Sequence, residues 1–375
     1  MIQFAKPYFK PEWRQRFLEL AGDILDSGQL TQGVNVKSVE EYFSRLLASR
    51  NVAATNSCTA SLHLAMLLIG ISKGDEVIVP SNTFAATANA VVYCGGTPVF
   101  AEIDPTTLNI DPNHVAKLIT DKTKAIIPVH LSGVPCEMSK ISNIAEERGI
   151  HIVEDCAHAH GAYYHRKPCG TFGDHACFSF YPTKVIAGPE GGLLVTADKD
   201  ADTRGRILLN QGRGGFGPLE ISEIGYNYRM NEFQAAVVRV QMESLDEIVD
   251  KRTEIVQRYR KNLSRTRHVS VPKTPADSKP SYYSFTVQIN GADRDVVRDK
   301  MTEAGIGTSI MYHPVHLQPI YQRLFGYKPG SLPKTEEICS KIISLPLHLG
   351  LTMAEVDLVC EKLVSTIEDA TKGKR

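Results

Sequence analysis

The chain has 375 residues, a length that exceeds one ordinary hydrophobic core and favours a large domain with a smaller one. Its 42 Lys and Arg residues balance its 42 Asp and Glu residues, so net charge gives no attraction to nucleic acid or an anionic membrane, and small molecules or another subunit are the expected partners. The eight cysteines are scattered, no apolar run approaches the roughly 18 residues of a membrane span, and the start lacks the apolar stretch of a secretory signal, which together predict a cytoplasmic protein.

Short apolar runs alternate with helical patterns from about residue 50 to residue 200. In chain order, strands are predicted at DEVIVPS, TPVFAEID, AIIPVHL and HIVED, with helices between them at FAATANAVVY, HVAKLI and MSKISNIAEER. This order predicts an α/β fold with a mainly parallel sheet and helices on both faces. Ligands of such sheets bind at the carboxyl ends of the strands, so polar residues that follow an apolar run are candidate site residues.

The pattern changes after about residue 235. The amphipathic segment from Glu232 to Leu263 predicts one long helix that joins two bodies. The run SYYSFTVQI and a helical stretch over 294–304 predict a smaller α+β domain beyond it. We therefore expect a large domain over residues 1–240, whose N-terminal segment packs on the small one, and a small domain over 241–375 that includes the connecting helix.

Lys184 lies in the segment ACFSFYPTKVIAGPEGGLLV. An alternating strand pattern ends at Pro182, and Lys184 follows in a turn before a Gly-rich return into a second apolar strand. A lysine in a loop is by default a solvated surface residue. The position between two apolar strands makes Lys184 a candidate nucleophile that could form a Schiff base with a carbonyl cofactor.

Asp155 ends the apolar strand of HIVEDCAHAHGA. A carboxylate at the carboxyl end of a strand could keep the pyridine nitrogen of pyridoxal phosphate (PLP) protonated, which makes the ring an electron sink. A helix cap or a surface charge would explain Asp155 as well. A metal site with His158 and His160 is a third possibility, and it is disfavoured because helical spacing would place the two imidazoles on different faces.

Two further segments fit a phosphorylated ring. In NVAATNSCTASLHLAML, an apolar strand runs through Ser57 and Thr59 into a helix, whose first N–H groups and hydroxyls could hold a phosphate. An ordinary helix cap explains the same pattern. In VPSNTFAATANAV, Phe84 follows a strand and could stack on a cofactor ring, although packing in the core is the ordinary role of a phenylalanine.

These segments resemble one known family over nearly the whole chain. The DegT/DnrJ/EryC1/StrS aminotransferases are PLP enzymes of fold-type I that aminate keto-sugars. The resemblance rests on SGQLTQG (27–33), TNSCTASLHLA (55–65), PSNTFAATANAV (80–91), GGTPVFAEID (95–104), KTKAIIPVHLSG (122–133), IVEDCAHAHGA (152–162), GDHACFSFYPTK (173–184), PEGG (189–192), GYNYRMNEFQAA (225–236) and YHPVHLQP (312–319). It implies an aspartate-aminotransferase-like three-layer αβα fold with a smaller α+β domain.

The resemblance also implies roles for individual residues. Lys184 would carry PLP as a Schiff base and shuttle protons, and Asp155 would pair with the pyridinium nitrogen. Asn227 resembles an asparagine that reaches the cofactor phosphate of the neighbouring subunit, which implies a homodimer with shared active sites. The remaining cofactor contacts implied are the phosphate ligands Ser57, Thr59, Ala60 and Ser179 and the stacking residue Phe84.

The chain departs from the family pattern at two positions. His158 stands where many relatives have glutamine, at a position that touches the cofactor's ring oxygen or ring face, so the cofactor's electronics could differ. Cys58 stands where glycine is common and could crowd the phosphate turn. Neither change removes a group that transamination requires.

The substrates follow from the resemblance alone. Glutamate is the implied amino donor, with glutamine second, and the acceptor is a keto-sugar linked to a nucleoside diphosphate. Arg229 and Arg213 are candidates for the donor's carboxylate, although surface ion pairing would explain both. The positions that resemble the sugar pocket, which core packing or capping would also explain, are Tyr181, His313, His316 and Tyr321.

Other functions remain open at this stage. A PLP-dependent sugar dehydratase of the same family typically has histidine in place of the Schiff-base lysine, so Lys184 disfavours it. An aldolase or decarboxylase would use the same covalent chemistry. A non-catalytic PLP-binding regulator should carry an effector or DNA-binding module, and neither the charge balance nor a spare segment offers one.

Overall fold

A computed structural model describes residues 1–214 and 220–372. Its helices are α1 (Pro11–Ser27), α2 (Val34–Leu46), α3 (Cys58–Leu68), α4 (Ala85–Tyr93), α5 (Pro112–Leu118), α6 (Met138–Arg148), α7 (Lys199–Leu209), α8 (Glu232–Met242), α9 (Leu245–Leu263), α10 (Arg294–Glu303), α11 (Pro319–Phe325), α12 (Pro333–Cys339) and α13 (Met353–Lys372). Its strands are β1 (Asn51–Thr55), β2 (Glu76–Pro80), β3 (Thr97–Ala101), β4 (Thr123–Ile126), β5 (His151–Asp155), β6 (Tyr163–Tyr164), β7 (Lys167–Pro168), β8 (His175–Ser179), β9 (Gly192–Thr196), β10 (Val269–Ser270), β11 (Ser278–Lys279), β12 (Phe285–Ile289) and β13 (Ile342–Leu345).

The central sheet has the strand order β1-β9-β8-β5-β4-β2-β3. Strand β9 is antiparallel to both of its neighbours, and the other pairings are parallel. This arrangement confirms the predicted α/β fold with a mainly parallel sheet. Strands such as β8 and β9 are buried along their whole length, as continuous apolar runs predict.

Strand β4 is shorter than the apolar run that predicted it. The run AIIPVHL extends to Leu131, whereas the strand ends at Ile126. Pro128 lies just beyond that end, and a proline has no N–H group to donate to the sheet. Irregular pairing continues with a single bridge between Val129 and Asp155.

The parallel pairing of β5 with β8 places two candidate segments side by side. Asp155, the last residue of β5, is in register with Cys177 of β8. Strand β8 ends two residues later, at Ser179, and the turn that carries Lys184 follows directly. The carboxyl ends of these two strands therefore bring Asp155 and Lys184 to the same edge of the sheet.

A second sheet lies in the C-terminal part of the chain. Strands β10, β12 and β13 are antiparallel and pack, with residues of α9, α10 and α13, around their own apolar cluster. Helix α9 contacts both apolar cores: Leu245 and Ile248 pack into the core of the large sheet, and Ile255 and Tyr259 pack into the C-terminal one. The division at residue 240 stays a prediction.

The single long helix predicted over 232–263 was wrong. Helix α8 ends at Met242, and α9 begins at Leu245 after a turn in which the Ser244 N–H donates to the Gln241 carbonyl. The start of α9 carries Asp246 and Glu247 in its first turn, where negative charge favours the N-terminus of a helix. The sequence contains this signal for a helix start. The apolar periodicity continues across both helices, however, and it indicated a single helix.

The N-terminal segment pairs with residues near the C-terminal sheet. The Ile2 N–H donates to the Gly305 carbonyl, and the Ile2 carbonyl accepts from the Gly307 N–H, both at 2.8 Å. The Phe4 carbonyl accepts from the Leu347 N–H at 3.1 Å. Within the described residues, no helix has the length and apolar character needed to cross a membrane.

Candidate active site

A cavity of about 470 Å³ lies at the carboxyl ends of β5 and β8. This volume is typical of a small-molecule or cofactor site. Residues of two apolar clusters that pack on the large sheet contribute to its wall. The lining comprises Ser57, Cys58, Thr59, Leu62, Thr83, Phe84, Ala86, Val129, Asp155, Ala157, His158, Ser179, Tyr181, Thr183, Lys184, Glu190, Tyr283, Met311 and Tyr312.

Lys184 is held in a tight turn at the wall of this cavity. Its N–H donates to the Tyr181 carbonyl at 2.9 Å, which closes the turn after β8. Its Nζ lies 4.4 Å from the ring centroid of Tyr283. The side chain is only partly exposed, so the surface location that a lone loop lysine suggests does not apply.

Asp155 is 4% exposed, and both of its carboxylate oxygens accept hydrogen bonds. Oδ2 accepts from Thr87 Oγ1 at 2.8 Å, and Oδ1 accepts from the Ala157 N–H at 3.1 Å. Burial raises the pKa of Asp155 above its usual value, although these two hydrogen bonds and the charge of Lys184 oppose the rise.

The burial of the Asp155 carboxylate, whose hydrogen bonds come from the neutral donors Thr87 and Ala157, tests whether PLP fits the site. A buried carboxylate that lacks a full counter-charge is costly to ionise. A protonated ring nitrogen beside it would offset that cost, so the electrostatics of Asp155 fit the pyridinium of PLP.

The start of α3 supplies a site for an anionic group. The Ser57 hydroxyl caps the helix by accepting from the Ala60 N–H at 3.2 Å, and Ala60 does not line the cavity. Ser57 and Thr59 do line it, as does Ser179 at the end of β8. The positive end of the helix dipole together with these hydroxyls suits a phosphate.

His158 is buried in the cavity wall and is held neutral. Burial keeps its pKa well below the usual range, and Lys184 and His160 add to the effect. Its Nδ1 accepts from the Ser132 N–H at 3.3 Å, which assigns the proton to Nε2. Nε2 lies 3.5 Å from the Tyr312 hydroxyl and could donate to a ligand oxygen in the cavity.

Phe84 and Tyr181 line the cavity with exposed rings. Phe84 is 62% exposed and Tyr181 is 49% exposed. The Phe84 ring lies 6.0 Å from the ring of Tyr312. Both positions leave a face available to a ligand or to another subunit.

Two residues of the predicted sugar pocket lie in the interior, outside the cavity. His316 is fully buried and hydrogen-bonded to Ser81 Oγ at 2.6 Å and to Glu336 Oε1 at 3.1 Å. The Tyr321 hydroxyl donates to Asn89 Oδ1 at 2.6 Å, and the residue is 2% exposed. Their surroundings match the alternative of core packing that the sequence left open.

Four other candidates also lie outside the cavity lining. His313 and Asn227 are exposed, and the Asn227 carbonyl accepts from Asn56 Nδ2 at 3.1 Å. Arg229 donates to Asn210 Oδ1 at 3.0 Å. Arg213 forms a single backbone bridge with Ile221.

Three residues of the site were missed from the sequence: one that holds Asp155 and two that line the cavity. Thr87 lies one helical turn beyond Thr83, and the hydroxyls of the two are 2.8 Å apart, which orders the donor that holds Asp155. That spacing on α4 was a usable signal. Tyr283 and Tyr312 come from distant segments and reach the cavity only through tertiary packing, so no local motif marks them.

Next to Asp155, Glu154 forms a buried network of its own. The Glu154 carboxylate is fully buried and accepts from His130 Nε2 at 3.0 Å and from the N–H groups of Gly170, Phe172 and Gly173 at 2.7, 2.7 and 2.9 Å. Burial alone would raise the pKa of Glu154, but the hydrogen bonds outweigh it and lower the pKa.

The same carboxylate belongs to a group with metal-ligand spacing. Ligand atoms of His130, Glu154 and Cys156 lie within 4.8 Å of one another. Both carboxylate oxygens already accept hydrogen bonds, and His130 Nδ1 accepts from the Cys136 N–H at 3.0 Å. The network is therefore satisfied without a metal.

We expect Glu154→Gln to lower the free energy of unfolding by about 3 kcal/mol at pH 7, because an amide would turn a donor toward groups that all donate. The lowered pKa of Glu154 means that its contribution is present above the unfolded pKa near 4.5 and is lost as pH falls through the folded pKa. Urea unfolding at pH 7 and at pH 4 measures both effects, and the gap between wild type and variant should narrow at pH 4. The exposed Glu147→Gln is the control. Equal stability of the Glu154 variant and wild type at pH 7 would contradict the expected role of Glu154.

The fold and this cavity define the class of the protein, a PLP-dependent aminotransferase. The model of the DegT/DnrJ/EryC1/StrS aminotransferase family matches residues 11–364, and the chain belongs to this family. The resemblance seen in the sequence is thereby confirmed.

Individual relatives agree with this assignment. The spore coat polysaccharide biosynthesis protein SpsC of Bacillus subtilis (strain 168) is 35% identical over 382 residues, which covers 98% of the chain and 97% of SpsC. GDP-perosamine synthase of Caulobacter vibrioides is 37% identical over 328 residues, covering 86% of the chain and 88% of that protein. Spr1654 of Streptococcus pneumoniae, solved in a PLP form, has a TM-score of 0.93 at 27% identity, covering 98% of this chain and 99% of that one. The chain is a sugar aminotransferase that uses PLP.

Proposed function

We propose that this protein transfers an amino group from glutamate, or from glutamine, to a keto-sugar carried on a nucleoside diphosphate. The observation that carries the proposal is the convergence of Lys184, Asp155 and the start of α3 on one cavity. The relatives support the sugar class, since one is a GDP-perosamine synthase and another is a protein of spore coat polysaccharide biosynthesis. The product would be an amino sugar for polysaccharide biosynthesis.

The cavity residues have distinct tasks in this proposal. Bound PLP supplies an electron sink for the carbon that gains or loses the amino group. Lys184 Nζ would hold the cofactor covalently and would move the proton at the reacting carbon. Asp155 keeps the ring nitrogen protonated, and its own hydrogen bonds from Thr87 and Ala157 fix its orientation.

The remaining cofactor contacts follow from position. The phosphate would be held by the hydroxyls of Ser57, Thr59 and Ser179. The positive end of the α3 dipole would attract the same group. The neutral His158 donates through Nε2 to the ring oxygen, a task for which an amide would also serve. Phe84 provides the stacking face.

We further propose that the protein acts as a homodimer in the cytoplasm, without nucleic-acid or membrane partners. The exposed rings of Phe84 and Tyr181 at the cavity suit contact with a second subunit, whose Asn227 would complete the phosphate site. Asn227 is itself exposed, as that role requires. All eight cysteines are free thiols, which supports a reducing compartment.

We assign Tyr181, Arg229 and His313 to the substrates, with His316 and Tyr321 supporting the pocket from the interior. Tyr181 lines the cavity directly. His316 contacts Ser81 in the segment that follows β2, and Tyr321 contacts Asn89 of α4.

The purified protein is expected to be yellow, and adding glutamate should bleach the band as the cofactor takes up the amino group. Absorbance spectroscopy follows the change, and a panel of nucleoside-diphosphate keto-sugars is then added to the bleached form. Return of the band with one of them, together with an aminated sugar nucleotide in the mass spectrum, identifies the acceptor. A spectrum that no amino donor changes would overturn the transfer.

A further inference from the structure

Tyr283 reaches the active-site cavity from the C-terminal part of the chain. It lies just before β12, and its side chain is 8% exposed. Arg252 of α9 holds the backbone there, since its Nη1 donates to the Tyr282 and Tyr283 carbonyls at 3.2 and 3.3 Å. The Arg252 side chain is itself buried, so this anchor is rigid and the ring of Tyr283 has a fixed place in the wall.

Tyr283 contacts the lysine segment at two points. Its ring centroid lies 4.4 Å from Lys184 Nζ, within the range of a cation–π contact. Its hydroxyl lies 3.0 Å from Thr183 Oγ1, the neighbour of Lys184 in the same turn. One side chain therefore contacts both the reactive amine and the backbone segment that carries it.

The ring also stacks on His158. The two ring centroids are 4.0 Å apart, and the planes differ by 17°. His158 is buried and neutral, so it does not compete with the lysine ammonium for the electron-rich ring. The stack fixes the orientation of the Tyr283 ring. The electron-rich face of the ring can then attract the Lys184 ammonium.

We propose that Tyr283 is a positioning residue that holds Lys184 Nζ beside the cofactor while the lysine is not bonded to it and carries a proton. A lysine side chain has about 2 kcal/mol of rotamer entropy to lose, so a free Lys184 would otherwise leave its reacting position. This inference rests on the proposed role of Lys184, because a lysine that moves a proton is an ammonium between taking up that proton and giving it up, and this cationic form is the one that the Tyr283 ring attracts. It adds a residue from outside the motifs that define the site.

The first test uses the cofactor-free wild-type protein. Its lysines are dimethylated with ¹³C-formaldehyde and a borohydride reductant, and the Lys184 signal is assigned by its loss in Lys184→Ala. Protons over the face of an aromatic ring are shielded, so the Lys184 methyl signal is expected upfield of that of the exposed Lys140. A Lys184 signal at the position of Lys140 would overturn the proposal, whether or not any Tyr283 variant folds.

The second test measures how fast Lys184 is methylated in variants, by mass spectrometry of its peptide. Tyr283→Leu removes the ring and should increase the rate about 2- to 30-fold, the range of a cation–π contact of 0.5–2 kcal/mol. Tyr283→Phe keeps the ring face and should match wild type. The control is Tyr282→Leu, which changes the neighbouring tyrosine that does not line the cavity.

A third readout separates positioning from a general loss of structure. In holoenzyme with α-deuterated glutamate, Tyr283→Leu should lower kcat and raise the kinetic isotope effect, with KM little changed, because proton transfer becomes slower. An unchanged isotope effect and methylation rate in a folded Tyr283→Leu would overturn the proposal. A wild-type protein that fails to transaminate but keeps the shielded Lys184 signal would contradict the proposed function. The same result would support the contact between Tyr283 and Lys184.

Discussion

Lys184→Ala is expected to abolish the covalent attachment of PLP and to lower transamination by at least about 10²- to 10⁴-fold, the range that a positioned acid–base group contributes. Lys184 is the one lysine that lines the cavity within the described residues, so no neighbouring amine replaces it there. The measurement is the rate of bleaching by glutamate, together with the absorbance of the protein incubated with PLP. The variant should still bind the cofactor without forming the coloured adduct.

The matched control is Lys140→Ala. Lys140 is exposed on α6 and pairs with Glu137, so its loss leaves the cavity unchanged. The control should keep wild-type spectra and rates. A Lys184→Ala protein that still bleaches at the wild-type rate would remove the lysine from the mechanism.

Asp155→Asn is expected to reduce the rate of bleaching by glutamate about 10²- to 10³-fold, the usual loss when one preorganised electrostatic group is removed. The amide keeps the shape of the carboxylate but not its charge, so the ring nitrogen loses the partner that keeps it protonated. Burial raises the pKa of Asp155, so a neighbouring cation would favour its charged form. Rapid-mixing absorbance measures the rate constant for the half-reaction with glutamate.

Two further variants sharpen this result. Asp174→Asn changes a half-exposed carboxylate near His151 and should leave the rate unaltered. Thr87→Val removes one hydrogen bond from Asp155 and keeps the charge, so a loss of about tenfold or less is expected. Equal rates in Asp155→Asn and wild type would show that the charge has no part in the reaction.

The sequence was sufficient to predict the part of the site that lies on the parallel sheet. Asp155 and Lys184 each follow an apolar strand, and strand ends of a parallel sheet meet at one edge. The alternation of strands and helices therefore predicted both the fold and the meeting of these two side chains. The Ser57 helix start was predictable for the same reason, because β1 leads directly into α3.

The contacts from the C-terminal part of the chain could not be predicted in this way. Tyr283 and Tyr312 are separated from Lys184 by about 100 residues or more along the chain. Both pack against the apolar core of the large sheet, a tertiary contact that no local pattern indicates. His316 shows a second limit: its motif resembles a sugar-pocket position, and the structure places its two ring nitrogens against Ser81 and Glu336 in the interior, which matches the alternative of core packing. Motif position indicates which loop a residue belongs to, and tertiary packing decides which way its side chain points.

The most direct test of the account is to map the cofactor attachment in the wild-type holoenzyme. Reduction with borohydride fixes the imine between PLP and its lysine, and tryptic peptides are then sequenced by mass spectrometry. The account predicts the phosphopyridoxyl mass on Lys184 alone. Its appearance on another lysine, or on none, would contradict the central claim that Lys184 holds the cofactor.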